Sequence, residues 1–275
     1  MISELKKSEF FKCEGLLNEQ GHLEPKAIVK GINPGRIFVD DIDSPTSGMI
    51  WLGNNDGFFF IANERNEGFN AEINHFINTI ISPEAKKVGL TWFEGIGNHS
   101  RWDETIQKLF KYRNLESWNQ RVYSLEKKDY KGNLDLAVEE YNIVRITETL
   151  FNNSKNSINN IDFLQSKILE FWTTPERFFH DGIGYCAVYK NKIVSICISG
   201  FAVCNVHCID IETLEEHQGK KLAQKVALTF VKHCYDNNLV PYWDCMESNK
   251  TSIAVAEKIG LKNAFNYKGY TFKFE

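Results

Sequence analysis

The stretch Thr213-Leu-Glu-Glu-His-Gln-Gly-Lys-Lys-Leu-Ala-Gln224 decides the fold. A strand-like run at residues 206–211 precedes it, and a run with helical periodicity follows it. A polar turn between a strand and a helix leaves the first backbone N–H groups of the helix without partners, at the positive end of the helix dipole. Lys220 and Lys221 add positive charge there. We therefore expect this turn to bind a ligand that carries a pyrophosphate.

The composition is that of an ordinary globular chain with a sizeable core. Of the 275 residues, 43% are hydrophobic and 25% are charged, a length that suits one large domain or two moderate ones. The net charge of −4 argues against general nucleic-acid binding. No run approaches the roughly 18 apolar residues of a membrane span, and the charged N-terminus lacks a signal-peptide core. We expect neither nucleic acid nor membrane as a partner; the oligomeric state is not indicated.

The cysteines favour a reducing compartment. They are odd in number, seven, and no C-x-x-C pair occurs, so we expect a cytoplasmic protein without a disulfide framework. His207 and His217 lie near Cys204 and Cys208, but this spacing lacks the usual pairing of zinc ligands. We expect no metal.

The second half of the chain predicts a β-α-β-β-β-α-β-α-β order. The predicted strands are residues 141–146, 184–189, 193–201, 206–211, 239–245 and 265–274, and the predicted helices are residues 161–172, 222–236 and 249–259. Lys190-Asn191 predicts a hairpin turn, and Lys268-Gly269 another turn. Pro241 predicts an edge or splayed position for its strand. Ser248 or Asn249 should cap the last helix, with Gly260 just beyond its end.

The first half predicts a similar order. Its predicted helices are residues 1–20, 69–81 and 102–110, and its predicted strands are residues 36–40, 48–52, 58–62, 90–94 and 118–125, with an Asn-Asn-Asp-Gly turn at residues 54–57. The polar segment at residues 126–133 predicts a domain boundary, which gives domains 1–125 and 126–275. A diverged duplication of one unit is one explanation of the similar order, and an unrelated accessory domain is the other.

Two segments resemble the GNAT superfamily of N-acetyltransferases. The window Gln218-Gly-Lys-Lys-Leu-Ala223 is similar to the family's Gln/Arg-x-x-Gly-x-Gly/Ala signature, with Lys221 in place of the usual fourth-position glycine. This departure is tolerable if Lys221 keeps helical dihedral angles and offers its N–H; the alternative is that its Cβ crowds the phosphates. The segment from Pro241 to Leu261 resembles the zwittermicin A resistance-type subgroup, with Pro-x-Trp-x-Cys, then Asn-x-x-Ser, then Ala-Glu-Lys-x-Gly.

The resemblance implies the fold, the activity and the cosubstrate. The fold is α/β (α+β), a mixed, mostly antiparallel sheet with helices on both faces. The resemblance covers about residues 126–275, and the first half is then either a degenerate GNAT-like domain or an accessory domain. The activity is transfer of acetyl from acetyl-CoA to a primary amine of a small molecule by direct attack in a ternary complex. The residues that match the family's acetyl-CoA site are Ile211, Glu212, Thr213, His217, Gln218, Gly219, Lys220, Lys221, Leu222, Ala223, Asn249 and Ser252. For Asn249, a simple helix-capping role is the alternative.

The general base is where this chain departs from the family. Cys208 occupies the place at which many members carry a glutamate, and Asp210 and Glu212 share its strand face. Asp210 is the first candidate for the base and Glu212 the second; the alternative is that both are solvated strand carboxylates. An acyl-carrying role for Cys208 is a disfavoured alternative. Ala256 replaces the family's usual tyrosine acid, for which Tyr267 or Tyr270 could substitute.

Several functional alternatives remain open at this stage. Cys208 and Ala256 at the usual acid–base places motivate a non-catalytic acyl-CoA-binding or sensory module, and a CoA-independent interaction protein is a further alternative. The first half has no Gln/Arg-x-x-Gly-x-Ala window after a strand, so we do not expect it to bind CoA. The sequence does not indicate the acceptor. An aminated antibiotic follows by analogy with the subgroup, and polyamines, amino acids and protein N-termini are the alternatives.

Overall fold

The computed structural model describes residues 1–53, 57–130, 140–153 and 157–274. Two compact units result: Met1–Gln120 with Tyr267–Glu275, and Arg121–Asn266. The predicted domains, 1–125 and 126–275, differ from this division in two places, because residues 121–125 belong to the second unit and residues from Tyr267 onward belong to the first. The separate roles of the two domains stay a prediction. Residues 54–56 of the predicted turn and 131–133 of the predicted boundary lie outside the described residues. No helix in the described ranges is long and apolar enough to cross a membrane.

The strands follow the apolar runs of the sequence. They are β1 (Ser3–Glu4), β2 (Arg36–Val39), β3 (Ser47–Trp51), β4 (Gly57–Ala62), β5 (Trp92–Gly97), β6 (Glu116–Ser124), β7 (Asn142–Arg145), β8 (Gly184–Tyr189), β9 (Lys192–Val203), β10 (Val206–Thr213), β11 (Val240–Met246) and β12 (Lys262–Lys273).

The helices fill the connections between these strands. They are α1 (Leu23–Val29), α2 (Glu67–Phe76), α3 (Ser82–Lys87), α4 (Trp102–Leu109), α5 (Glu148–Phe151), α6 (Ile161–Phe171), α7 (Pro175–Asp181), α8 (Leu222–Asp236) and α9 (Lys250–Lys258). Residues Ile77–Ile81 form a π-helical turn between α2 and α3, and Lys7–Leu16, Lys127–Asp129 and Glu215–His217 form 3₁₀ turns.

The first unit is a sheet in the order β1-β2-β3-β4-β5, completed by the second half of β12. Its pairs are antiparallel except β4 with β5, which run parallel from Gly57 opposite Glu94 to Phe60 opposite Gly97. An aromatic stack holds the centre, because the ring of Phe93 lies 4.4 Å from that of Phe58 and 4.7 Å from that of Phe272.

The second unit places its strands in the order β6-β11-β10-β9-β8-β7. The strands β7 to β10 pair antiparallel, and β10 pairs with β11 in parallel. Helix α8 covers one face, where Val226 and Phe230 are buried in one cluster with Cys197 and Ile209. Asp210 follows Ile209 along β10, so its side chain points to the opposite face of the sheet. Lys167 of α6 contacts Asp210, which places α6 on that face.

The predicted mixed sheet with helices on both faces is confirmed, together with the hairpin turn. Lys190 and Asn191 both have positive φ, 45° and 61°, as a tight two-residue hairpin requires. Asn249 caps α9 by accepting a hydrogen bond from the Ser252 N–H at 3.0 Å, and Gly260 follows the helix with a φ of 95°.

Other predicted elements are wrong. Strand β12 runs without a break, so Lys268-Gly269 is not a turn. The short helix predicted at residues 1–20 is present only as a 3₁₀ helix at Lys7–Leu16, and β1 precedes it. For Pro241, the edge position is wrong because β11 is an inner strand, whereas the splayed position is confirmed because the pairing of β11 with β10 ends one residue later, at Tyr242. The short helices α1, α5 and α7 escaped prediction because four to seven residues carry little periodic signal.

The start of α8 does not meet the condition stated for Lys221, because this residue lacks helical dihedral angles. Lys221 has φ 62° and ψ 16°, a left-handed conformation, and Gly219 two residues earlier has a φ of 75°. For a residue with a side chain this conformation costs about 1–2 kcal/mol, because Cβ crowds the following carbonyl oxygen. Lys221 therefore occupies a backbone conformation that favours glycine, and it carries the strain of a side chain there.

Replacement of Lys221 by glycine should stabilise the protein. Relief of the left-handed strain, about 1–2 kcal/mol, exceeds the roughly 0.5–1 kcal/mol of chain entropy that glycine loses on folding. We expect a higher midpoint of urea unfolding for Lys221→Gly than for Lys221→Ala. Lys220, whose φ is not positive, is the matched control. Lys220→Gly should lower the midpoint, and equal effects at the two positions would contradict the strain argument.

Candidate functional site

A cavity of about 710 Å³ opens in the second unit where β10 and β11 part. The two strands pair over only three residues, from Val206 opposite Val240 to Cys208 opposite Tyr242. Beyond that point they diverge, and the start of α8 and the start of α9 form the walls. The lining residues are Ile211, Glu212, Thr213, His217, Gln218, Gly219, Lys221, Leu222, Ala223, Gln224, Trp243, Asn249, Thr251, Ser252 and Val255.

The loop between β10 and α8 is held by its own hydrogen bonds. The Gln218 side-chain amide donates to the Thr213 carbonyl at 3.2 Å, and the His217 N–H donates to the Leu214 carbonyl at 2.9 Å. The Thr213 hydroxyl is hydrogen-bonded to the Ser195 hydroxyl at 2.8 Å, which ties the end of β10 to β9. Gln218 thus closes the loop, so that the chain turns sharply into α8.

This loop presents backbone donors at the cavity. The hydrogen bond from the Lys225 N–H to the Lys221 carbonyl is the first of the α-helical pattern of α8. The N–H groups of residues 222–224 come before it and therefore have no helical partner. A Cβ on Gly219 would meet no atom within 4 Å, so the backbone is open to a ligand there. Free N–H groups at the positive end of a 15-residue helix fit a diphosphate.

His217 forms an aromatic wall of the same cavity. The side chain is buried, and its Nδ1 is hydrogen-bonded to the Tyr141 hydroxyl at 3.2 Å. The rings of Tyr141 and Tyr189 lie 5.8 and 5.5 Å from the imidazole. Because these contacts fix the ring, His217 orients the loop that precedes α8.

Asn249 and Ser252 have structural contacts as well as positions at the cavity. Besides the cap that Asn249 provides, the Ser252 hydroxyl accepts a hydrogen bond from the Trp243 indole N–H at 3.0 Å. Trp243 is almost fully buried and lines the cavity from β11. The capping role considered for Asn249 is therefore present, and it fixes the second wall.

Asp210 lies on the other face of β10, against α6. Its carboxylate contacts the Lys167 ammonium at 3.1 Å and is about one quarter exposed. Burial raises the pKa of the Asp210 carboxyl, and the charge of Lys167 opposes this shift without cancelling it. A carboxylate with a raised pKa is a stronger proton acceptor than an ordinary aspartate.

Glu212 and Cys208 occupy different surroundings on the same strand. Glu212 lines the cavity, is about half exposed and lies 3.4 Å from the Lys167 ammonium. Cys208 is buried at the last residue pair before β10 and β11 part. Neither Cys208 nor Asp210 lines the cavity.

The structure brings the predicted acetyl-CoA residues together, except one. All of them line the cavity apart from Lys220, which is exposed. Gln224, Trp243, Thr251 and Val255 also line it, although the sequence motif did not indicate them. Gln224 lies one residue beyond the motif, so helical spacing could have predicted that it lines the cavity. The same prediction for Trp243 would have required knowledge of how β11 pairs with its neighbours. The roles of these residues stay predictions.

The tyrosines considered as acids lie in the first unit. Tyr270 is buried in its aromatic core and accepts a hydrogen bond from the Gln107 amide at 3.0 Å, and Tyr267 contacts the His22 ring edge-on at 4.3 Å. Within the described ranges, no group of three or more His, Cys, Asp or Glu residues could hold a metal ion.

The fold and the sequence are similar to known proteins. A sequence model of the family described as GNAT acetyltransferase matches residues 14–270. The chain is 30% identical over 237 residues to the uncharacterized N-acetyltransferase YdfB of Bacillus subtilis (strain 168), which covers 86% of this chain and 85% of that protein.

Two solved structures share the fold at low sequence identity. A GCN5-related N-acetyltransferase-like protein from Streptococcus suis 89/1591 matches with a TM-score of 0.67 and 18% identity, over 96% of this chain and 98% of that one. A tandem GNAT protein from the clavulanic acid biosynthesis pathway matches with a TM-score of 0.61 and 11% identity, over 100% and 99%. Since the family's sequence pattern spans nearly the whole chain, the chain belongs to the GNAT acetyltransferase family and is a GNAT-type N-acetyltransferase.

Proposed function

We propose that the chain transfers acetyl from acetyl-CoA to a primary amine of a small molecule, with Asp210 as the general base. The observation that carries this proposal is the cavity at the parting of β10 and β11, walled by the open start of α8. Family membership supports acetyl transfer, and the resemblance to the zwittermicin A resistance-type subgroup motivates an amine antibiotic as the acceptor.

The cavity can hold the two ends of the CoA chain by different means. The backbone N–H groups between Gly219 and Gln224 would bind the diphosphate, with Lys221 as an added cation. After Cys208, β10 no longer pairs with β11, so the backbone groups on that edge can bind the pantetheine amides and polarise the thioester carbonyl.

The chemical step then requires a base on the acceptor side. The neutral amine nitrogen attacks the thioester carbon, the carbon–sulfur bond breaks, and the departing thiolate of CoA takes the second proton of the nitrogen, which leaves the amide and the free thiol. Asp210 accepts the proton that the ammonium must lose before attack. Glu212, which is more exposed, is the second candidate for this role.

Gly219→Trp should abolish measurable binding of CoA in calorimetry, because an indole at this position would occupy the diphosphate site. The matched control is Gly260→Trp, since Gly260 also has a positive φ and open space around it but lies outside the cavity lining. Both variants carry backbone strain, so a comparable loss of stability is expected. Equal CoA affinity of Gly219→Trp and the parent would overturn the assignment of the loop.

Asp210→Asn should lower kcat by about 10²–10⁴-fold and leave the affinity for CoA unchanged, because only proton removal is affected. In the parent, kcat/KM should fall as the pH drops through the raised pKa of Asp210, since the protonated carboxyl cannot accept a proton. Thiol release from acetyl-CoA with a panel of amines is the measurement. A pH profile that Asp210→Asn does not alter would remove Asp210 from the mechanism, and tight CoA binding without transfer to any amine would favour an acyl-CoA sensor.

A further inference from the structure

We propose that Lys167 of α6 is a positioning residue for the transfer reaction: it fixes one oxygen of the Asp210 carboxylate and keeps that carboxylate charged. The inference rests on the proposed role of Asp210 as the base. It adds a residue outside the family's motif window and outside the cavity.

Lys167 is held in one position by several contacts. Its ammonium lies 3.1 Å from Oδ2 of Asp210, 3.2 Å from Oε2 of Glu170 and 5.4 Å from the centroid of the Phe171 ring. Glu170 and Phe171 are three and four residues further along α6, so both lie next to Lys167 on the surface of the same helix. The Lys167 side chain is only 14% exposed, which makes the ion pair with Asp210 less screened than a surface pair.

A bulge in β9 lets α6 approach β10 closely. The pairing of β9 with β10 shifts between Cys208 and Ile209, where Gly200 is the extra residue. A Cβ on Gly200 would lie 3.4 Å from Cβ of Asp210 and 3.3 Å from the Phe171 ring, tighter than ordinary packing. Glycine therefore leaves the space in which Phe171 and Lys167 reach Asp210.

The charges around Asp210 show why a cation is needed there. Glu212 on the same strand and Glu170 on α6 both raise the pKa of Asp210, in addition to burial, whereas Lys167 lowers it. On β9, the Cys197 thiol is kept neutral because burial raises its pKa. Although burial alone lowers the pKa of Lys167, Asp210 and Glu170 raise it on balance, so Lys167 stays charged while Asp210 titrates.

Variants at Lys167 and Glu212 should shift the pH profile of kcat/KM in opposite directions. Without Lys167, Asp210 should bind its proton more tightly, so the acid limb of kcat/KM should move to higher pH by about one unit or more. Lys167→Met should therefore lose activity at neutral pH and recover much of it at higher pH. Lys167→Arg keeps the charge and should restore a limb close to that of the parent. Glu212→Gln removes a like charge and should move the limb to lower pH.

The experiment measures pH profiles of acetyl transfer for the full chain and these three variants, with CoA affinity and the unfolding midpoint as checks on integrity. In the Asp210→Asn background, Lys167→Met should have little further effect on kcat, because the two residues act as one unit. Activity lost with an unshifted profile, or equal losses in both backgrounds, would overturn the inference and leave Lys167 a packing residue.

The results for Asp210→Asn and Lys167→Met distinguish an error in the role of Lys167 from an error in the proposed function. If Asp210→Asn removes the acid limb and Lys167→Met does not shift it, only the role of Lys167 is wrong. If Asp210→Asn leaves the limb in place, the base itself is misassigned and the inference falls with it. Absence of transfer to any amine would contradict the proposed function before either variant is compared.

Discussion

The site depends on the early end of pairing between β10 and β11. Parallel neighbours usually stay hydrogen-bonded along their shared length, and each backbone group left unpaired in a buried place is costly. Here the ladder stops after Cys208 opposite Tyr242, although β10 continues to Thr213. The edge of β10 that no longer pairs with β11 and the open first turn of α8 meet in one cavity. A ligand with amide and phosphate groups can hydrogen-bond to both at once, as the proposed cosubstrate would.

The two faces of β10 have different surroundings, which suits the separate roles proposed for them in cosubstrate binding and proton transfer. The face that bears Ile209 packs on α8 in an apolar cluster, which fixes the strand and the loop after it. The opposite face bears Asp210 and meets the charged side of α6. Because alternate residues of a strand point to opposite faces, one strand can present a charged base and still be anchored in the core.

Much of the fold and of the cavity followed from local sequence signals, and the rest depended on tertiary contacts. Lys190-Asn191, Asn249 and Gly260 each fulfil a backbone requirement of their own turn or cap, so the pattern predicts them directly. The left-handed angle of Lys221 contradicts local propensity, because the turn into α8 overrides it. No sequence pattern indicated Lys167. Its proposed role depends on a tertiary contact, because Lys167 of α6 meets Asp210 of β10 next to the bulge at Gly200.

The path of β12 has a consequence for synthesis of the chain. The first unit takes its last strand from residues after Asn266, and Phe272 and Phe274 belong to its aromatic core. While the ribosome is still translating the second unit, that core lacks these two rings and β5 lacks a neighbour along one edge. Until the residues after Asn266 are added, the nascent first unit has an exposed strand edge, the kind of surface that chaperones protect.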